Sequence, residues 1–387
     1  MNILIAGGGT GGHIFPAIAV AREFGKAVAE AKITFIGTAK GMEAKIIPKE
    51  GYEIRFIRSE GLVGKDIVHT AKSLFTIPLS LKDSGRILRE LRPDLVLGVG
   101  GYSSGPFVLR ASMMGIPTII HEQNTLPGLA NRILGKFVDT VAVTYHESIE
   151  FFPSEKTFLT GNPIRTEILT GDRERGREIF SLDRDLFTIF VFGGSLGSSS
   201  INKAVSESLT YLEPFRDRIQ FLHQTGEREL DAVREAYRYR EFRGTVIPFA
   251  YDMADAYAAA DLIISRAGAT TLAELTACGK AAILVPFPSA AANHQEINAR
   301  KLWDAGAAQM ILERDLNGKT LADLVKYLLE DPDAIAAIER SSKSLGNVDA
   351  AGKVVELMMG LLKKKTEYRI ENSGERTKNT EHRQQMI

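Results

Sequence analysis

Residues 2–21 read NILIAGGGTGGHIFPAIAVA, an apolar run that passes through five glycines in six positions into a helix-forming stretch. Glycine loses more backbone freedom on folding than any other residue. A cluster this dense therefore marks a place where the main chain must turn sharply or let another group approach it. Strand, glycine turn and helix in that order open a doubly wound α/β domain, with the turn at the carboxyl end of the first strand. His13 is expected in the first turn of the helix, at the C-terminal edge of the sheet. Pro16 is expected early enough in the helix to be tolerated, because the first-turn amides lack intrahelical acceptors.

Working outward, the same alternation continues. ITFIGT (33–38), YEIRFIR (52–58), LVLGVG (95–100), PTIIHE (117–122) and TVAVTY (140–145) read as strands separated by helical stretches, the pattern of a parallel sheet. After GNPIR (161–165) the pattern restarts with FTIFVFGGS (187–195), followed by IQFLHQTG (219–226), GTVIPFAY (244–251), DLIISRAG (261–268) and AAILVPFP (281–288). With 387 residues, two domains are expected. The economical division is 1–161 and 162–350, two doubly wound Rossmann-like domains with parallel sheets facing a cleft. VVELMMGLLKKK (354–365) reads as a last amphipathic helix, residues 351–365 packing back on the first domain, and 366–387 as a polar, disordered tail.

Composition narrows the function classes. Lys and Arg (48) balance Asp and Glu (48), so no nucleic-acid partner is expected and an anionic ligand must meet a local patch. The single cysteine, Cys278, excludes an internal disulfide and a cysteine-based metal cluster. Met1–Ala6 is too short for the apolar core of a signal peptide, and no run of about 18 apolar residues marks a membrane span.

Gly7, Gly9 and Gly12 satisfy G-x-G-x-x-G. A dinucleotide site also needs an acid about 20 residues on, at the end of the second strand. Here that strand ends in Gly37 and Thr38, and no Lys-Ser/Thr pair makes the glycines a P-loop. What remains is an anion-accommodating turn at a helix N-terminus. FGGSLGSSSIN (192–202) repeats the device, with Ser195 and the loop amides able to cradle a phosphate. RAGATTLAEL (266–275) places Arg266 at a sheet edge and Glu274 further along the helix, where it can accept from both hydroxyls of a ribose. PFPSAAANHQEINA (286–299) gathers polar residues behind a Pro-rich loop. HEQN (121–124) and GGYSSGP (100–106) both end strands, where ligands of open α/β sheets bind.

Taken in order, GGGTGGHIFPA, GGYSSGPFVLRA, IHEQN, GNPIR, FGGSLGS, DLIISRAGATTLAEL and PFP…NHQ…NA resemble the MurG family of GT-B glycosyltransferases over about residues 1–360. The resemblance implies an inverting transfer of GlcNAc from UDP-GlcNAc to the C4 hydroxyl of MurNAc in undecaprenyl-pyrophosphoryl-MurNAc-pentapeptide (lipid I), giving lipid II for peptidoglycan. It implies that the second domain holds the donor. Ala250 would meet the uracil through its main chain, Glu274 the ribose, and Ser195 and Arg165 the pyrophosphate, with Arg266 lining the site. Ala269, His294 and Gln295 would contact the sugar. Thr10, Gly11, Gly12 and Asn124 would also face the donor, and Gly9–Gly12 with Tyr102 would border the acceptor pyrophosphate. His13 is the candidate general base, since an imidazole titrates near neutral pH.

Three positions depart from the family pattern. Leu196 and Ser198 stand where GGSQGA carries Gln and Ala, and His294 where some members carry a second Gln. Altered affinity rather than a different reaction is the expectation. No D-x-D stands at either glycine loop, so no obligatory cofactor is expected, although a divalent metal is compatible with the reading. The lipid acceptor implies a peripheral protein on the cytoplasmic face of the bacterial inner membrane, near other cell-wall synthesis proteins. Leu74, Phe75 and Leu79 interleaved with Lys72 and Lys82 suit an anionic lipid surface. The competing readings are a UDP-GlcNAc 2-epimerase or another GT-B lipid glycosyltransferase, and a nucleotide-binding protein without transferase activity.

Overall fold

A computed structural model describes residues 1–59, 67–101, 103–290 and 293–384, with backbone alone for 67–76 and 368–384. The chain divides into two compact units. The first comprises Met1–Gln123, Pro127–Gly161 and the chain from Asp349 onward; the second comprises Asn124–Leu126 and Asn162–Val348.

The first unit is built on seven parallel strands: β1 (Asn2–Ala6), β2 (Lys32–Gly37), β3 (Glu53–Phe56), β4 (Leu95–Gly98), β5 (Thr118–Glu122), β6 (Thr140–Val143) and β7 (Thr157–Leu159). Their order is β3-β2-β1-β4-β5-β6-β7. The second unit has six: β8 (Phe187–Phe192), β9 (Ile219–Gln224), β10 (Gly244–Ile247), β11 (Leu262–Ser265), β12 (Ala282–Leu284) and β13 (Gln309–Met310), all parallel, in the order β10-β9-β8-β11-β12-β13. Each order reverses beside its first strand, so each glycine loop sits at a topological switch point, the place where open α/β sheets take ligands. β7 and β13, three and two residues long, carry too little alternation to be read from sequence.

The central strands are apolar on both faces because helices cover both. In the first unit Ile3, Ile5 and Leu97 pack with Ile14, Ile18 and Phe24 of the helix Gly11–Ala27 on one face, and Leu4 and Val96 with Phe107 and Val108 on the other. Val354, Val355, Met358 and Leu362 of the last helix belong to the first of these clusters, each less than a tenth exposed. Burying such side chains is worth about 1.5–3 kcal/mol apiece.

Two expectations change. Pro16 is the sixth residue of the helix Gly11–Ala27, inside the hydrogen-bonded ladder rather than in its first turn. The last helix does not stop at residue 365: its backbone runs from Ala350 to Gln384. Residues 366–384 contain no proline to break it, and polarity alone does not keep a chain from forming a helix.

Candidate functional site

In the first unit the glycine turn after β1 is shaped by two neighbours. Gly9 adopts φ +87°, a conformation that strains any residue with a Cβ. Gly101, after β4, lies so close that a Cβ there would stand 2.2 Å from the Gly8 carbonyl oxygen. Behind the turn is a residue that sequence reading missed. Glu43, 1% exposed at the start of the helix Glu43–Lys49, accepts from the Gly9 amide at 2.8 Å. It also accepts from both the amide and the hydroxyl of Thr38 at 2.9 Å. The Gly9 N–H is thus turned inward, and what Gly9 can offer a ligand is space rather than a donor. Thr10 and Gly12 are exposed and Gly11 half-buried at the start of the helix.

His13 is half-buried, its Nδ1 3.2 Å from the Gly8 carbonyl and 3.3 Å from Thr10 Oγ1. The far side of its ring faces Gly100, where a Cβ would come within 2.8 Å of Cδ2. The buried His121 has Nε2 2.9 Å from the Gly161 carbonyl; burial, reinforced by the charge of His13, lowers its pKa to about 4. It is therefore neutral at neutral pH. Tyr102 lies outside the described residues.

The second unit gathers most of the residues assigned to the donor. Gln224, at the end of β9 and 3% exposed, donates to the Gly194 carbonyl at 2.9 Å and accepts from the Ala250 amide at 3.0 Å. One side chain thereby ties the second glycine loop to the Phe249–Tyr251 stretch, and the main-chain group left to Ala250 for a base is its carbonyl. The sequence signal was a glutamine closing an apolar strand. Ser195 is half-buried in the loop, while Leu196 beside it is 84% exposed. Ser198 has become the N-cap of the helix Ser199–Leu212, accepting from the Ile201 amide.

Glu274 is 4% exposed, not solvated. Its Oε1 accepts from Arg165 at 3.1 Å and its Oε2 from the Tyr257 hydroxyl at 3.1 Å. Burial raises the Glu274 pKa, and the Arg165 charge opposes that shift. The two residues assigned to ribose and pyrophosphate are therefore bonded to one another. Tyr257, 17 residues before Glu274, had no local signal in the sequence.

Arg266 is held by several partners. It pairs with Glu313, donates to the Val285 and Pro286 carbonyls at 3.2 and 3.3 Å and to Ser200 Oγ at 2.8 Å, and lies over the Phe287 ring. It braces the loops after β11 and β12. Gln295 likewise accepts from the Phe287 amide at 3.0 Å, and half-buried His294 opens the helix His294–Asp304. Ala269 opens the helix Ala269–Cys278. Asn124 accepts from Asn298 at 3.2 Å, and Asn298, fully buried, also accepts from the amide and hydroxyl of Thr125 at 3.1 and 2.9 Å.

Of the proposed lipid-facing set, Leu79 is 42% exposed and Lys82 exposed. The side chains of Lys72, Leu74 and Phe75 lie outside the described residues. Among the described residues no helix is long and apolar enough to cross a membrane, and no group of three His, Cys, Asp or Glu could hold a metal ion.

Comparison with known proteins shows the family. The glycosyltransferase family 28 N-terminal domain matches residues 3–143 and the C-terminal domain residues 188–354. A UDP-N-acetylglucosamine--N-acetylmuramyl-(pentapeptide) pyrophosphoryl-undecaprenol N-acetylglucosamine transferase of Thermodesulfovibrio yellowstonii is 52% identical over 94% of this chain and 100% of its own. The protein of the same name from Citrifermentans bemidjiense is 48% identical over 93% of this chain and 99% of its own. Among solved structures, Acinetobacter baumannii MurG superposes with a TM-score of 0.73 at 29% identity, covering 93% of this chain and 99% of that one. The UDP-GlcNAc 2-epimerase of Neisseria meningitidis, at 15% identity and TM-score 0.67 over 93% of this chain and 100% of its own, shares the fold alone. The chain belongs to glycosyltransferase family 28, a GT-B family, and is an N-acetylglucosamine transferase of the MurG type.

Proposed function

We propose that this protein moves GlcNAc from UDP-GlcNAc to the C4 hydroxyl of MurNAc in undecaprenyl-pyrophosphoryl-MurNAc-pentapeptide, with inversion at the anomeric carbon, yielding lipid II and UDP. The carrying observation is the full-length likeness to transferases named for this reaction, at 52% and 48% identity. The second unit takes the donor. The Ala250 carbonyl meets the uracil, the remaining lone pairs of Glu274 accept from the ribose, and Ser195 with the loop amides and Arg165 receives charge on the departing pyrophosphate. Ala269, His294, Gln295 and Asn124 contact the sugar. Leaving-group stabilisation by preorganised donors supplies the larger share of the acceleration. His13 takes the proton of the acceptor hydroxyl, a role worth about 10²–10⁴-fold.

No obligatory metal enters this reading. The acceptor is a lipid, so the protein works as a peripheral one on the cytoplasmic face of the plasma membrane, with Leu79 and Lys82 part of the surface that meets anionic lipid.

The test is UDP release from UDP-GlcNAc with and without a short-chain lipid I analogue, with analysis of the product. Acceptor-dependent release with a β-1,4-linked disaccharide is expected. Turnover without acceptor would replace this reading with an epimerase or hydrolase, and UDP-GlcNAc binding without turnover would replace it with a binding protein.

A further inference from the structure

The buried carboxylate of Glu43 stands out because no part of the proposed chemistry uses it. It bonds three donors from two segments: the Gly9 amide at 2.8 Å, and the Thr38 amide and hydroxyl at 2.9 Å each. Space around it is reserved with equal care. A Cβ at Gly8 would lie 2.3 Å from Glu43 Cδ, one at Gly37 2.5 Å from Cγ, and one at Gly41 2.1 Å from Oε2. Three glycines in three segments therefore leave room for one side chain. A long side chain on a surface helix would normally yield to a methyl group. This one is 1% exposed and held by three hydrogen bonds, and displacing it would bury an unsatisfied Gly9 amide.

The consequence reaches His13. The bond to Glu43 fixes the peptide between Gly8 and Gly9, whose carbonyl oxygen lies 3.2 Å from His13 Nδ1. The next residue, Thr10, places Oγ1 3.3 Å from the same nitrogen. The carboxylate, the peptide and the imidazole form one chain of contacts. The carboxylate also fills the space at the end of β2 where a dinucleotide-binding protein would keep an acid open to a ribose.

We propose that Glu43 is the positioning residue for the first glycine loop: through the Gly8–Gly9 peptide it sets the orientation of the His13 imidazole. This rests on the transferase reading for its kinetic consequence but not for its structural one. In Glu43→Gln one acceptor oxygen becomes an NH₂ that faces N–H donors, so either the Gly9 amide or the Thr38 amide loses its acceptor. Gly41→Ala attacks the same carboxylate from outside the glycine loop.

The experiment compares wild type, Glu43→Gln and Gly41→Ala in three measurements: transfer to the lipid I analogue, UDP binding by calorimetry, and the His13 Cε1–H NMR cross-peak. Both variants are expected to lose about 10²-fold in kcat, the scale of a misplaced catalytic group. Their UDP affinity should stay within about twofold of wild type, since the uracil, ribose and pyrophosphate are assigned to residues of the second unit and not to this loop. The His13 cross-peak should move in both. Transfer near wild-type level with an unmoved cross-peak overturns the proposal. So does loss of UDP binding in step with transfer, which would make Glu43 a general scaffold residue. If the wild-type protein itself fails to transfer, the functional reading falls, and the His13 cross-peak alone decides: moved in both variants, Glu43 positions the loop; unmoved, it does not.

Discussion

Arg165 and Tyr257 grip the two oxygens of Glu274 from different segments, each at 3.1 Å, in a setting where the Glu274 side chain is only 6% exposed. Removing one member of a buried ion pair leaves the other charge uncompensated, at a cost of about 3–5 kcal/mol. Glu274→Gln should therefore lower stability on that scale in urea titration and weaken UDP binding at least about tenfold, the equivalent of 1.4 kcal/mol. Tyr257→Phe touches no proposed ligand contact and should cost about 1–3 kcal/mol for the hydrogen bond that Glu274 loses. If UDP affinity were unchanged in Glu274→Gln, the carboxylate would be a structural group and not a ribose acceptor.

Gln224 makes a different kind of link, joining the Gly194 carbonyl to the Ala250 amide. Gln224→Leu removes both bonds, and Gln224→Glu keeps the acceptor while setting a carboxylate against a carbonyl. Both variants should bind UDP more weakly, by about 30-fold in Gln224→Leu, which loses two hydrogen bonds at roughly 1 kcal/mol each, and by about fivefold in Gln224→Glu, which loses one. Calorimetry with UDP, and with UMP as a probe lacking the β-phosphate, separates the loop from the base contact. A variant that weakens neither would show that the two segments hold their places without the bridge.

His13→Ala should reduce acceptor-dependent transfer by about 10²–10⁴-fold, the usual contribution of a general base. UDP affinity should stay near wild type. A loss confined to the KM for the acceptor would assign His13 to orienting the acceptor instead.

Acid should destabilise the second unit through His223. Its Nε2 lies 3.0 Å from Asn202 Oδ1 and its Nδ1 3.1 Å from the Tyr237 hydroxyl, and burial lowers its pKa to about 3. The unfolded chain binds a proton near pH 6.5, which the folded chain refuses until about pH 3. Between those values the unfolded state holds more protons, so stability falls as pH falls, by up to about 1.4 kcal/mol per pH unit for this group. His121, depressed to about pH 4 by burial, adds the same dependence in the first unit between pH 6.5 and 4. Denaturation midpoints measured from pH 7 to pH 4 should show this slope, and His223→Asn should reduce it, leaving the part that His121 supplies. An unchanged slope in that variant would place the acid sensitivity elsewhere.

How much of this was legible in the sequence depends on how far apart the cooperating residues lie. Strand–glycine–helix is a local pattern, and it placed β1, β8 and both switch-point loops. The motifs single out Glu274, Arg165 and Gln295 but not their bonds to Tyr257, to Glu274 and to the Phe287 amide, because those contacts form only when separate elements pack. The family resemblance puts Arg266 in the lining of the donor site, but its motif gives no sign of the pairing with Glu313, 47 residues on. Glu43 carried no signal at all. It sits 34 residues from Gly9, in a segment whose composition is that of any surface helix. The glycines at 8, 37 and 41 record its presence, but only once the fold has brought them around it.

The last helix completes the hydrophobic core of the first unit, while residues 162–348 of the second unit come between β7, the last strand of the first unit, and that helix. During synthesis the ribosome must add close to 200 residues, at about 5–20 per second, after β7 emerges and before Val354, Val355 and Met358 can reach Ile14 and Ile18. For on the order of ten to forty seconds the nascent first unit shows an uncovered apolar face. That interval is an opening for chaperones or for aggregation. It also means that a premature stop near residue 350 would damage the end of the protein made first.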